Sequence, residues 1–547
     1  MKKFCKAGFI LTLITFSMFL LTACDRGDIE RIPVVHDFDF SDVQLYLDVG
    51  WTGLPLDFEA ELTIGLWSAV NTTAFYRDIG RNFIDPAEIR EVRAAGAIAA
   101  AQAFNYFFPN VAINVNIEAS GSNRFQNRVN FHTMHGIHED IFVTAELPEE
   151  IMRGNIADLS IFADDPVFDI INPRFTAIGT LHDRLWATPF LASPHGVFVN
   201  RSLAENQNLD PPPINWNLRE FEQFVSHSRT DEFAGIDSTP FEIMNTINQD
   251  FHYSLAFRSS DDVFVRMDTQ AMRDSHRGIQ GMERHALAPG VGRGQFTSAW
   301  VGGRNNWRMF AEGNLLTFHP SPHMISNAAS PTHENRVQAQ DWDYFPRPSS
   351  DWVGNHVGTN IMLLCIRNFA GDTDGVLTQE SYDRLRLSWE FLRFFTMDIR
   401  SWTAKANFTF GPDNHNALDF SLPFVTGQLY WDMLDLHLQA YQRRALANST
   451  RFPAYHFVLQ LWEQGQHWGF GGNAFPMMAG GRAITHEWNT RGTAASVGAN
   501  VADPNWLDQL FVHLPVWDVD FNERWDARFG ELYDAIMRWH PTIPDRF

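Results

Sequence analysis

Apolar and polar positions along this chain fall into a strand, helix, strand order. Residues 61–67 (ELTIGLW) are a short apolar run of the kind that makes a buried strand. Residues 94–103 are almost all helix formers, and Phe104, Phe107 and Phe108 close that run ahead of Pro109. Asp85, Pro86 and Glu88 have the residue types of an N-cap, a first-turn proline and a capping-box acid, so the helix is expected to open there. Residues 111–117 (VAINVNI) alternate as a strand should. Farther on, residues 196–199 (GVFV) suggest a short buried strand, and Pro211, Pro212 and Pro213 fix a turn. Asn217 and Glu220 then form a capping box, with Trp216 and Phe221 in the two staple positions of the following helix. Leu385, Trp389, Leu392 and Phe395 sit at helical spacing, and further helical segments lie around residues 440–464 and 529–539. Each of these patterns occurs in any α/β domain, and none alone names a function.

The first 23 residues have a different character from the rest of the chain. Lys2, Lys3 and Lys6 precede an apolar run from Ala7 to Leu21 that is too short for a comfortable membrane span. The run ends in Leu21, Thr22, Ala23 and Cys24, which looks like a bacterial lipobox. Residues 1–23 are therefore expected to be a lipoprotein signal peptide. Cleavage before Cys24 would leave a thiol carrying diacylglycerol and palmitate-type chains, which anchor a protein at the outer face of the cell membrane without a spanning helix. Of the three cysteines, Cys5 leaves with the leader and Cys24 is acylated, so Cys365 alone remains and no internal disulfide is possible. The net charge is −23, and losing the three leader lysines takes it to −26. A chain this acidic lacks a basic footprint for nucleic acid. Residues 24–60 are acidic, without a clear helical period, and interrupted by Pro33 and Pro55. They are expected to be a tether holding the body off an anionic membrane.

The stretch Leu185–Phe224, with its extended proline segment, apolar strand, proline turn and capped helix, resembles the first inter-lobe crossover of the extracellular solute-binding proteins of ABC importers, sugar type. The strand at 61–67 resembles the opening strand of that family, which ends in an aromatic residue at the cleft. The order helix, Phe-Pro-Asn, strand at 107–117 is a second shared signature, and the interval 71–85 is longer than the family pattern, as an inserted loop would make it. Residues 157–165 (ADLSIFADD) resemble the family strand whose carboxyl end carries polar residues into the cleft, with Ala157 in place of the usual proline. Residues 307–318 resemble a family helix, glycine turn and strand. Residues 341–348 resemble a later strand ending in prolines, and 352–365 the second crossover. The resemblance implies an α/β, two-lobed periplasmic-binding-protein-like fold with an interdomain cleft and a multi-strand hinge. Lobe 1 would be residues 61–188 with about 357–440, and lobe 2 residues 189–356 with about 441–547. It also implies a monomer that binds a carbohydrate, an oligosaccharide given the chain length, and hands it to permease subunits. No cofactor is implied.

Eighteen Trp, forty-seven Phe and ten Tyr allow sugar stacking as well as core packing. Pyranose rings present apolar C–H faces to aromatic rings, and their hydroxyls need polar partners. The expected ligand-binding residues are Trp67, Asp164, Asp165, Trp186, Phe190, His319, Trp352 and Asn355. The two aspartates read equally well as a helix cap before Pro166. Peptide or other polar-solute binding stays open, as does a glycan-degrading enzyme using paired carboxylates. The serine-hydrolase elbow, the zincin motif, the phosphate loop and the dinucleotide fingerprint are all absent from the sequence. His132, His135 and His138 sit three apart but around Gly136, a poor helical metal site, and residues 372–375 (DTDG) lack the later ligands of a calcium loop. No metal is expected.

Overall fold

The computed structural model describes residues 47–68, 73–118, 137–144, 147–226, 234–236, 270, 273, 277, 306–318, 341–349, 354–355, 357–370, 377–411, 415–418, 452–464, 467–470 and 505–540. Strand β1 (Ala60–Trp67) is joined through a short edge strand β2 (Ala74–Tyr76) and helix α1 (Val92–Asn105) to β3 (Val111–Glu118). β1 and β3 pair in parallel, from Ala60 opposite Val111 to Trp67 opposite Glu118. Leu62, Ile64 and Leu66 of one and Ile113, Val115 and Ile117 of the other are buried, as the apolar runs require. α1 is buried nearly all round, and its alanines let the layers approach closely. β4 (Ile141–Thr144) runs parallel to β1 on its other side and leads toward α2 (Leu147–Met152).

β5 (Thr188–His195) passes through the single residue Gly196 into β6 (Val197–Asn200). After it come α3 (Leu218–Ser226), α4 (Asn306–Ala311), β7 (Thr317–Phe318), β8 (Trp342–Phe345) and β9 (Val357–Ile366). The chain then forms α5 (Gln379–Met397), α6 (Ile399–Asn407), α7 (Pro453–Glu463), β10 (His467–Phe470) and α8 (Trp506–Trp539). One sheet has the order β10-β9-β4-β1-β3-β2, with β5 also paired to β9; a second has the order β8-β6-β7. The second sheet has its own core, in which Phe198, Phe310, Phe318, Trp342, Tyr344 and Val357 meet Phe452, Tyr455, Val458 and Leu461 from α7 and the residue before it. These are two lobes, one around each sheet.

Several local expectations are met atom by atom. Asn217 N–H donates to Glu220 Oε2 at 2.8 Å and Glu220 N–H to Asn217 Oδ1 at 2.9 Å, a complete capping box. The Trp216 and Phe221 rings meet edge to face at 5.1 Å. Residues 306–318 form the helix, the turn at Gly313 with φ +81°, and the strand.

Others are corrected. Asp85 does cap, by accepting from Ala87 N–H, but only a three-residue turn at Pro86–Glu88. The chain leaves helical geometry at Ile89, and α1 starts at Val92 with the Glu91 side chain accepting from Ala94 N–H. The 71–85 interval contains β2 rather than loop alone. Residues 157–165 are not a strand: Asp158 accepts from Ser160 N–H and starts a 3-10 turn at Leu159–Phe162. Residues 47–60 are not a free tether. Leu47 and Leu54 are buried, and Glu390 of α5 accepts from Thr52 N–H at 2.7 Å. Residues 1–46, including Cys24, lie outside the described residues.

β5 pairs within the large sheet up to His195, past residue 188 where lobe 1 was expected to end. The end of α8 packs on the large-sheet lobe, not on lobe 2 where residues 441–547 were expected. Trp539 Nε1 donates to Met152 O at 3.0 Å, Arg184 Nη1 to His540 O at 2.9 Å, and the His540 ring meets Trp186 edge-on at 5.1 Å. Among the described residues, no helix is long and apolar enough to cross a membrane.

Candidate ligand-binding cleft

The parallel arrangement of β1, β3 and β4 sets their carboxyl ends on one edge of the large sheet. Open α/β sheets bind ligands just outside such an edge. β9 fixes what lies opposite. Its carboxyl end pairs with β4, with Leu363 opposite Thr144 and Ile366 opposite Ile141, while its first residue, Val357, belongs to the core of the small lobe. β5 runs antiparallel beside it, from Thr188 opposite Leu364 to His195 opposite Gly358, and β10 pairs in parallel with its start. These strands therefore carry the chain past the carboxyl edge and into the small lobe. The edge, the bridging strands and the small lobe enclose the candidate cleft.

Trp67 is the last residue of β1 and half-buried, and its carbonyl accepts from Arg93 Nη1 at 2.8 Å. Glu118 lies directly opposite it on β3, and Ser68 N–H donates to the Glu118 carbonyl at 2.7 Å. The edge thus sets an indole beside a carboxylate, a face and an acceptor of the types a sugar requires. Glu118 and Arg93 were missed from sequence. The signal was there for Glu118, since the alternating strand VAINVNIE ends in a charge at the register of Trp67.

The other candidates separate. Trp186 is fully buried in the large-sheet lobe, with Nε1 donating to Leu181 O at 3.1 Å. Phe190 is buried and stacked on Phe395 of α5 at 6.2 Å. Both rings serve the core, because the extended segment carrying them is covered by α5 and the end of α8. Asp164 is exposed in the turn before Pro166. Asp165 is buried, accepts from Val167 N–H at 3.0 Å and Trp389 Nε1 at 2.8 Å, and pairs with Arg393 at 2.8 Å. It thus holds the first turn of the short helix Val167–Ile170 from one residue before the N-cap position, which is Pro166. Asn355 is half-buried and donates through Nδ2 to Trp216 O at 2.8 Å and Arg347 O at 3.2 Å, clamping the proline segment after β8. His319, Trp352, His132, His135 and residues 372–375 lie outside the described residues.

Among the described residues, three carboxyls are pushed above the usual range, each chiefly by burial: Asp140, Asp165 and Asp343, the last to about 6. Each already has structural work. Asp140 holds Thr63 N–H and Arg384, Asp165 holds Arg393, and Asp343 accepts from Tyr344, Ala454 and Tyr455 N–H. Asp343 thereby caps α7, whose own N-cap residue, Phe452, supplies no side-chain bond. These perturbed carboxyls are built into the lobes rather than presented to a substrate. Among the described residues no group of His, Cys, Asp or Glu could hold a metal ion.

No protein-family model and no curated protein matches the chain. Solved structures do. An ABC substrate-binding protein from Listeria monocytogenes in complex with cycloalternan superposes with a TM-score of 0.52 at 12% identity, over 88% of this chain and 99% of its own. The cyclic alpha-maltosyl-1,6-maltose binding protein from Arthrobacter globiformis gives 0.51 at 12% identity, over 88% and 100%. The fold is that of the two-lobed substrate-binding proteins. The maltose-bound MalE3 of T. maritima agrees, with 0.52 at 12% identity over 84% and 100%. At such identities the likeness is one of fold, and it covers nearly the whole of each solved chain.

Proposed function

We propose that this chain is the substrate-binding subunit of an ABC importer, that it binds a carbohydrate of oligosaccharide size in the cleft between its lobes, and that it hands this ligand to permease subunits. The observation that carries the reading is the bridged two-lobed fold, shared over 84–88% of this chain with solved proteins that were captured with cycloalternan and maltose. Lobe 1 comprises the large sheet with α1, α2, α5, α6 and the end of α8; lobe 2 comprises the small sheet with α3, α4 and α7. Trp67 and Glu118 supply a stacking face and a hydroxyl acceptor from lobe 1. Trp352, His319 and Asp164 are further candidates. Ligand contacts from both lobes favour a closed form over an open one, and the closed form is the one a permease would read. The chain works as a monomer held at the outer face of the cell membrane by lipid on Cys24, and it does no chemistry on its ligand.

Incubation with a panel of linear and cyclic glucans tests this. A binder raises its unfolding temperature with one class of glycan and returns that glycan at its original length. Shortened products would instead make the chain an enzyme, and stabilisation by peptides alone would make it a peptide binder. Mass spectrometry of the mature N-terminal peptide tests the anchor, which requires a diacylglyceryl cysteine at position 24.

A further inference from the structure

The point at which β5 leaves the large sheet is held by one side chain of the small lobe. Tyr344, on β8, is fully buried, and its ring packs edge-on against Phe198 at 4.8 Å and Tyr455 at 5.9 Å. Its hydroxyl reaches across to the crossover backbone. It accepts from Gly196 N–H at 2.5 Å and donates to Pro194 O at 3.1 Å. These two groups flank His195, the last residue of β5. Pro194 has no N–H to give the sheet, and its carbonyl is turned to the phenol. Gly196 lies so close to β8 that a Cβ there would stand 2.3 Å from Phe345 O and 2.9 Å from the Tyr344 ring. Burial pushes the phenol well above its usual range, so the hydroxyl keeps its proton and its donor role.

We propose that Tyr344 is the positioning residue of the hinge: its hydroxyl fixes the bend of the chain at residues 194–196, where one lobe becomes the other, and so sets the angle about which the lobes open and close. A bend left without this bond has a free N–H and a free carbonyl and several backbone solutions of similar energy. With the bond, only one satisfies both groups. Motion between the lobes is then confined to segments on either side of the bend. The inference rests on the proposed function only for the effect on ligand affinity. The effect on lobe geometry follows from the crossover itself.

The test is Tyr344→Phe, which removes one oxygen and leaves the ring packing in place. Spin labels at Ala87→Cys in lobe 1 and Glu205→Cys in lobe 2, both exposed positions, report the inter-lobe distance by pulsed electron resonance. The full chain carries Cys5→Ser and Cys24→Ser in mild detergent; Cys365 is buried. Without ligand, Tyr344→Phe should broaden the distance distribution by on the order of 2 Å. Gly196→Ala should shift its mean, by pushing the crossover off β8. Ser401→Ala, which removes a buried hydrogen bond to Phe395 O inside lobe 1, lowers stability without touching the hinge and should leave the distribution as it is. Where a glucan binds the parent chain, Tyr344→Phe should weaken it about tenfold, because the closed geometry is a smaller share of the ensemble. Unchanged distance distributions in both hinge variants, or equal broadening in Ser401→Ala, would overturn the proposal. Absence of glucan binding in the parent chain would count against the proposed function and leave the distance result to decide the hinge.

Discussion

Replacing Arg393 by methionine should destabilise the large-sheet lobe by about 3–5 kcal/mol, the cost of leaving buried carboxylates without their cation. Arg393 sits on the inner face of α5, with its side chain 2% exposed. Its Nε lies 2.8 Å from Asp165 Oδ2, and Nη2 donates to Asp165 Oδ1 at 2.9 Å. Its Nη1 donates to Asp48 O at 2.7 Å and to Glu390 Oε2 at 3.3 Å, and the guanidinium lies over Trp51 at 5.7 Å. Asp165 and Glu390 are both sealed from water, so one cation serves two anions. Methionine fills much of the volume but returns none of the charge. Asp165 would keep only Trp389 Nε1 and Val167 N–H, and its carboxyl, already raised by burial against the pull of Arg393, would rise further. A folded-state value above the unfolded one means that the native state holds the proton more tightly. The deficit of the variant should therefore shrink as the pH falls from 7.5 toward 5 and grow as it rises. Urea unfolding followed by tryptophan fluorescence reads this directly, since Trp389 touches the pair. A loss below about 1 kcal/mol at pH 7.5, or a deficit independent of pH, would show that Arg393 does not neutralise this buried pair.

Asp343 gives a second pH signature. With its carboxyl raised from 3.8 to about 6, its contribution is fully present below pH 3.8 and is lost as the pH rises through about 6, an effect of up to about 3 kcal/mol on the small lobe. In Asp343→Asn the slope of stability between pH 4 and 7 should flatten; an unchanged slope would contradict the assignment. Trp539→Ala should cost about 1–3 kcal/mol by removing the Met152 bond and the ring that covers Gly154, and it should lower the large-sheet transition rather than the small-lobe one. Hydrogen exchange that quickens in α7 and not in α2 would place the end of α8 on the wrong lobe.

Local signals in the sequence carried the elements that short-range chemistry decides. The capping box at Asn217 and Glu220 and the alternation of β3 need only neighbours in sequence, and both were legible; the glycine turn at Gly313 was expected from the family resemblance of residues 307–318. Asp85 shows the limit: it has an N-cap's chemistry and does cap, but Ile89 turns extended and the long helix begins one turn later on Glu91. Residues 157–165 misled because they resemble a family strand, whereas the Asp158 carboxylate, accepting from Ser160 N–H, favours a tight turn. Long-range partners were not legible. Nothing near Asp165 announces Arg393, more than two hundred residues away, and nothing near residues 47–57 announces that α5 will bind them. For the same reason Trp186 and Phe190 looked like cleft aromatics until α5 and α8 covered them. Trp67 was placed from the strand it ends, and Glu118 beside it became visible only with the β1–β3 register.

A carbohydrate in the cleft at the carboxyl edge of the large sheet is what the proposed function requires. Isothermal titration of the purified chain with linear and cyclic maltosaccharides, repeated with Trp67→Ala, tests it most directly. Saturable binding at one site per chain is expected, with the glycan recovered intact and affinity reduced at least about tenfold by Trp67→Ala, as the loss of a central aromatic contact implies. Binding that Trp67→Ala leaves unchanged, or no binding by any glycan tested, would contradict it.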